Sequence, residues 1–210
     1  MSWLNSLRPD SGSSQPPREA VESQPADGPR SGLKRLIANL ADADPQVRLS
    51  AARMLDQAAD PAYLDHFLAL LEDENFQVRL TAIQYLRRIS DPAVAPALVA
   101  RLADPDNDVR QSAAQALGSL RHRPALEPLV LALADPEPAV RHAAAAALED
   151  IDPRWVRTDA AQRAIPQLVE LCAAPQPWIA AAAEQVLEKL RAAKDSSTET
   201  WKRESGIRNL

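Results

Sequence analysis

The dipeptide Val-Arg recurs at Val47-Arg48, Val78-Arg79, Val109-Arg110 and Val140-Arg141, each time 31 residues after the last. Other columns keep the same step. Asp42, Asp73, Asp104 and Asp135 precede the valines, as do Leu40, Leu71, Leu102 and Leu133. Ala51, Ala82, Ala113 and Ala144 follow them, and then Leu55, Leu86, Leu117 and Leu148. A fixed period of this length marks a stack of similar units, because one short unit cannot hide its own apolar stripe and must bury it against the next.

Each copy reads as two helices. The first carries apolar residues at helical spacing, such as Leu36, Ile37 and Leu40, or Leu98, Val99 and Leu102. An acidic, proline-bearing turn such as Asp104-Pro105-Asp106-Asn107 then stops it and caps the second helix. The second helix sets Val109, Ala113, Leu117 and Leu120 on one stripe. Asp60-Pro61 and Asp91-Pro92 have the form of a cap and first residue for the following helix. A fifth copy diverges. With Ile179 in the valine column, Leu168, Val169, Ala183 and Leu187 fall into register after a step of 39 residues, and Ala180 replaces the arginine. The eight extra residues lie near Asp152-Pro153-Arg154-Trp155-Val156-Arg157, and the copy has the character of a terminal cap. The expected fold is an all-α, right-handed α-solenoid of about five helical hairpins over residues 32–194.

The flanks differ. Residues 1–31 carry Ser11-Gly12-Ser13-Ser14 and Pro16-Pro17 with few apolar positions, the composition of a disordered tail. Trp3, Leu4 and Leu7 at its start form either an untethered terminus or a short docking motif. Residues 195–210 read as a flexible polar tail around Trp201.

The repeated Asp, Val-Arg, Ala and Leu, as in Asp104, Val109-Arg110, Ala113 and Leu117, resemble HEAT repeats of the short bacterial, lyase-type kind named after the bilin lyases. The resemblance covers roughly residues 33–194 and implies that the Asp and Arg columns form a ladder between repeats. It also implies that the second helices line a concave face used for binding. Deoxyhypusine hydroxylases share the architecture but hold iron with His-Glu pairs, and no such pair occurs here.

Charge and composition narrow the function classes. A net charge of −5 disfavours a nucleic-acid partner, which needs a concentrated basic surface. The single Cys172 excludes a disulfide scaffold and fits a reducing, cytoplasmic setting. It stands in a leucine column, a packing position rather than a nucleophile's. His66, His122 and His142 have no ligand spacing. No apolar run is long enough to span a bilayer. The expectation is no catalytic residue, no metal site and no cofactor.

A partner surface is the expected use of the remaining residues. Counting about 100° per residue from the valine, positions two, six and ten further on point away from the stripe. They read Leu49, Arg53, Gln57; Leu80, Gln84, Arg88; Gln111, Gln115, Ser119; then His142, Ala146, Asp150. These form either a seat for an acidic amphipathic peptide or an ordinary solvated face with Leu49 and Leu80 partly covered by the adjacent repeat. Trp155 and Trp178 either close the C-terminal end or expose aromatic anchors. Arg121-His122-Arg123 is either a solvated turn or a clamp for an anionic group. The expected function is a non-enzymatic scaffold or adaptor holding a protein partner on the concave face, the alternative being a bilin (tetrapyrrole) lyase or lyase subunit.

Overall fold

A computed structural model describes residues 29–204 apart from Ala59 and Ser90, with side chains over 31–194. Among the described residues the chain is all helix and turn, eleven α-helices and no strand, stacked as a right-handed α-solenoid. Four hairpins come first: α1 (Pro29–Asn39) with α2 (Pro45–Ala58), α3 (Leu64–Leu70) with α4 (Phe76–Leu86), α5 (Val94–Ala100) with α6 (Asn107–Ser119), and α7 (Leu126–Ala132) with α8 (Pro138–Ile151). The insertion then forms a 3-10 turn, Trp155–Arg157, and a short helix α9 (Asp159–Arg163) before the last hairpin, α10 (Ile165–Cys172) with α11 (Pro177–Glu204). Two boundaries differ from the sequence reading. Helix α1 begins at Pro29, and α11 continues to Glu204 instead of giving way to a tail at 195. The rest of both tails, Trp3, Leu4 and Leu7 included, lies outside the described residues.

The turns end and start helices by local chemistry. Asn75 accepts from the Gln77 N–H and Asp106 from the N–H groups of Asp108 and Val109, capping α4 and α6. Thr158 caps α9 through the Ala161 N–H. Arg121 ends α6 in the left-handed region at φ 50°, with its N–H on Gly118 O and the His122 N–H on Leu117 O.

The repeated apolar columns make one continuous core. The alanines and the second-helix leucines are buried in all five copies, and Val78, Val109 and Val140 are fully buried. Val47 and Ile179, in the first and last copies, are only half-buried. Phe67 stacks on Tyr85 at 3.8 Å between ring centroids, and the Tyr85 hydroxyl donates to Asp60 O. Burial pushes the Tyr85 hydroxyl above its ordinary pKa.

The Arg and Asp columns weld copy to copy. Arg48 Nε and Nη2 donate to the Asp73 carboxylate at 2.7 and 2.8 Å. Arg79 does the same to Asp104 at 2.9 and 2.7 Å, and Arg110 to Asp135 at 2.8 and 3.0 Å. The Nη1 of each arginine meanwhile donates to two carbonyls of its own turn: Asp42 and Ala43, Asp73 and Glu74, Asp104 and Pro105. Each aspartate also accepts the N–H two residues on, from Asn75, Asp106 or Glu137. One rung therefore fixes two turns and their spacing.

Helices α6 and α8 pack closely at Gly118. A Cβ on Gly118 would sit 2.8 Å from the Ala147 Cα, so only glycine fits without moving α8. Replacing a helical glycine by alanine ordinarily gains about 1 kcal/mol. Here Gly118→Ala is expected to cost roughly 1–3 kcal/mol by overpacking, read as a lowered denaturation midpoint; a raised midpoint would show that the pair separates freely.

The buried rung Arg79–Asp104 sets a second expectation. Asp104→Ala strands a buried guanidinium and should lower unfolding free energy by roughly 3–5 kcal/mol. Asp42→Ala, at the exposed end of the same column, loses a turn hydrogen bond from the Asp44 N–H and should cost about 1 kcal/mol. Equal losses in urea titration would contradict the ladder's role.

Candidate functional site

Among the described residues the second helices α2, α4, α6 and α8 share an uninterrupted solvent-facing arc. Arg53, Gln84, Gln115 and Ala146 occupy it six residues after the repeat valines, and Gln57, Arg88, Ser119 and Asp150 ten residues after; all eight are exposed. The arc runs from cationic on α2 and α4, through amides on α6, to acidic on α8, where Glu149 joins Asp150. Arg88 is held in place, its Nη2 donating to Asp56 O at 2.8 Å and to the Asp56 carboxylate. Arg53 has no ion pair among the described residues, which leaves its guanidinium free for an anionic group.

Two after the valines the covered alternative holds for Leu49 and Leu80, while His142 is exposed. Leu49 is only 3% exposed, and Leu80 and Gln111 are half-buried. At about 200° from the valine these side chains point away from the hairpin's own stripe but share a shoulder of the helix with the Gly118 position, at about 180°. That shoulder faces the next second helix, the side on which Gly118 meets Ala147. Leu49 therefore belongs to the core and not to a partner-facing surface.

The two tryptophans separate. Trp155 is 1% exposed, its indole N–H donating to Glu149 Oε1 at 3.2 Å and its ring lying 4.8 Å from the Lys189 ammonium. It anchors the insertion between α8 and α11 and offers nothing to a partner. Trp178, at the start of α11, is 59% exposed. Helix α9 is fastened to α7 by Arg163 Nε and Glu127 Oε2 at 2.7 Å. The basic turn is partly committed as well, since Arg123 Nη2 donates to Asp152 Oδ2 at 2.7 Å.

A groove lies on the first-helix side. Val99, Leu102, Pro128, Leu131, Leu171 and Ile179 line an apolar groove of about 360 Å³, with Asp135 and Pro136 at its edge. It opens where α10 and α11 follow α7 and α8, the junction that carries the longer step. Sequence reasoning missed it, because part of its wall, Leu171 and Ile179, comes from the fifth copy, which breaks the period.

Among the described residues no cluster of His, Cys, Asp and Glu has metal-binding geometry, and no helix is long and apolar enough to cross a membrane. Cys172 is a half-buried packing residue against the core.

Two overlapping stretches, residues 33–118 and 95–188, match the HEAT repeats family. The chain belongs to the HEAT-repeat family. Among solved structures, the complex of CpcE and CpcF of phycocyanin lyase from Nostoc sp. PCC7120 is similar, with TM-score 0.51 and 27% identity, over 81% of this chain and 70% of that one. An engineered protein is similar at TM-score 0.51 and 23% identity over 78% of this chain and 81% of its own, a likeness of fold alone. No curated protein matches the sequence significantly. In this HEAT array the Asp–Arg ladder implied by the sequence is present at three junctions.

One carboxylate of the ladder, Asp73, is placed to respond to pH. Burial alone pushes the Asp73 carboxyl up. The hydrogen bonds from Arg48 and the Asn75 N–H, with the charges of Arg48 and Arg79, outweigh it and hold the group below the ordinary carboxylate value. The Arg110 guanidinium is correspondingly raised, chiefly by its hydrogen bond to Asp135. A depressed folded-state pKa gives stability that is fully present above the unfolded value of 3.8 and is lost as pH falls through the folded one. Urea midpoints taken from pH 6 downward should fall more steeply below about pH 4 in the wild type than in Asp73→Asn; parallel curves would show that Asp73 carries none of the acid sensitivity.

Proposed function

We propose that this HEAT array is a non-enzymatic adaptor that holds a protein partner against the arc of its second helices, the concave face of the stack. The observation that carries the reading is the run of exposed polar columns on four successive helices, with Arg53 unpaired on a framework pinned by rungs. Preorganisation supplies the mechanism. The rungs set the spacing of Arg53, Gln84, Arg88 and Gln115 before binding, so docking orders little backbone. Extended repeat surfaces of this kind suit long peptide segments or a domain edge. The cationic end favours an acidic segment there, and Trp178 adds an exposed aromatic anchor at the far end. Trp3, Leu4 and Leu7 in the N-terminal stretch are the residues we assign to a tethered second contact, which would raise effective concentration. The lone cysteine supports a reducing cytoplasmic setting.

The test is affinity capture from source-cell lysate with mass spectrometry, comparing wild type with an Arg53→Glu, Gln84→Glu double variant of unchanged circular dichroism. A protein captured by the wild type and lost by the variant is expected. Equal capture would remove the arc from the binding surface.

One observation favours a second reading, the 27% identity to the phycocyanin lyase complex. On that reading the chain is a subunit that handles a bilin. Incubation with phycocyanobilin and gel filtration should then give co-eluting visible absorbance; its absence at high protein concentration counts against the reading.

A further inference from the structure

The ladder is incomplete at its C-terminal end. Arg141 adopts the pose of the other rung arginines, its Nη1 donating to Asp135 O at 2.8 Å and Pro136 O at 3.0 Å. In the three complete rungs the remaining edge, Nε with Nη2, holds the aspartate of the next copy. The fifth copy has Ala174 at that position. Arg141 therefore has no carboxylate on this edge among the described residues, and the side chain is half-exposed.

The apolar groove lies at the same junction. Asp135 and Pro136, whose carbonyls orient Arg141, form its edge, and Leu171 and Ile179, which flank Ala174 in sequence, form its far wall. An oriented guanidinium fork beside an apolar cleft is a composite site. We propose that this junction binds a peptide segment of a protein partner in which an aspartate follows leucine-rich residues, the aspartate completing the fourth rung on Arg141 and the leucines entering the groove. The chemistry is that of the chain's own rungs, where Leu102-Ala103-Asp104 and Leu133-Ala134-Asp135 bring a carboxylate to an arginine just after an apolar helix. A guanidinium held by two carbonyls pairs a carboxylate in bidentate fashion and discriminates against a neutral amide. The site lies on the first-helix side and is independent of whatever the second-helix arc holds.

The probe is a blocked, fluorescein-labelled peptide with the sequence of residues 129–137, ending Ala-Asp-Pro-Glu, and its counterpart with asparagine for the aspartate. Fluorescence anisotropy with the full chain should show the Asp peptide binding about ten-fold or more tightly than the Asn peptide. Arg141→Gln should abolish that preference, leaving the two peptides equal. Ile179→Glu, which keeps Arg141 and changes only a half-buried wall residue, should weaken both peptides together. Equal affinity of the wild type for the two peptides would overturn the proposal, as would an Asp preference that survives Arg141→Gln. If Arg141→Gln fails to fold, the wild-type preference and the Ile179→Glu result decide alone: no preference, or full binding by Ile179→Glu, overturns it.

Discussion

A planar guanidinium gripping two turns at once is the interaction on which this structure depends. Each rung arginine spends Nη1 on the carbonyls of its own turn and its other edge on the carboxylate of the next. The carboxylate, in turn, shapes its own turn through a backbone N–H. Lysine has neither the fork nor the fixed plane to do this. The apolar columns supply the driving force for stacking, but leucine and alanine against leucine and alanine tolerate sliding. The rung selects one register, because a shift of one residue leaves a buried charge unpaired.

Two consequences reach the surface. Where the rungs are complete, successive second helices are held at one spacing, and their crests become a fixed polar arc. Where the ladder stops, the copies are no longer bound to a common step. There the insertion buries Trp155, its ring beside the Lys189 ammonium, and the fifth hairpin lends Leu171 and Ile179 to the wall of the apolar groove. The fifth copy, with Ala174 in place of the aspartate and Ala180 in place of the arginine, thus ends the ladder at the junction that also carries the groove.

Much of this was legible in the sequence, and for a physical reason. A strict period reports contacts that must repeat, so the Asp, Val-Arg, Ala and Leu columns indicated the hairpins and the core, while the rungs were implied by the resemblance to HEAT repeats. The exposed crest residues Arg53, Gln84, Gln115, Gln57 and Arg88 followed from helical angle alone. For Leu49 two alternatives stayed open, a groove residue or one covered by the adjacent repeat, because a helical wheel knows the hairpin's own partner but not the neighbouring second helix that covers it. Trp155 and Trp178 were indistinguishable by type and proximity; only the fold of the insertion buries one and leaves the other in solvent. The groove was invisible for the same reason, since part of its wall comes from the fifth copy, which breaks the period. The helix continuing to Glu204 was missed because its polar composition resembles a tail.

Native-state hydrogen exchange read by mass spectrometry tests the central claim most directly. If the rungs bind the copies into one unit, amides in α2, α4, α6 and α8 should open together with a single free energy and a single denaturant dependence. Amides of α10 and the first turns of α11, beyond the last rung, should open separately and at lower cost. Protection that falls smoothly from one end to the other, with no step after α8, would contradict the account.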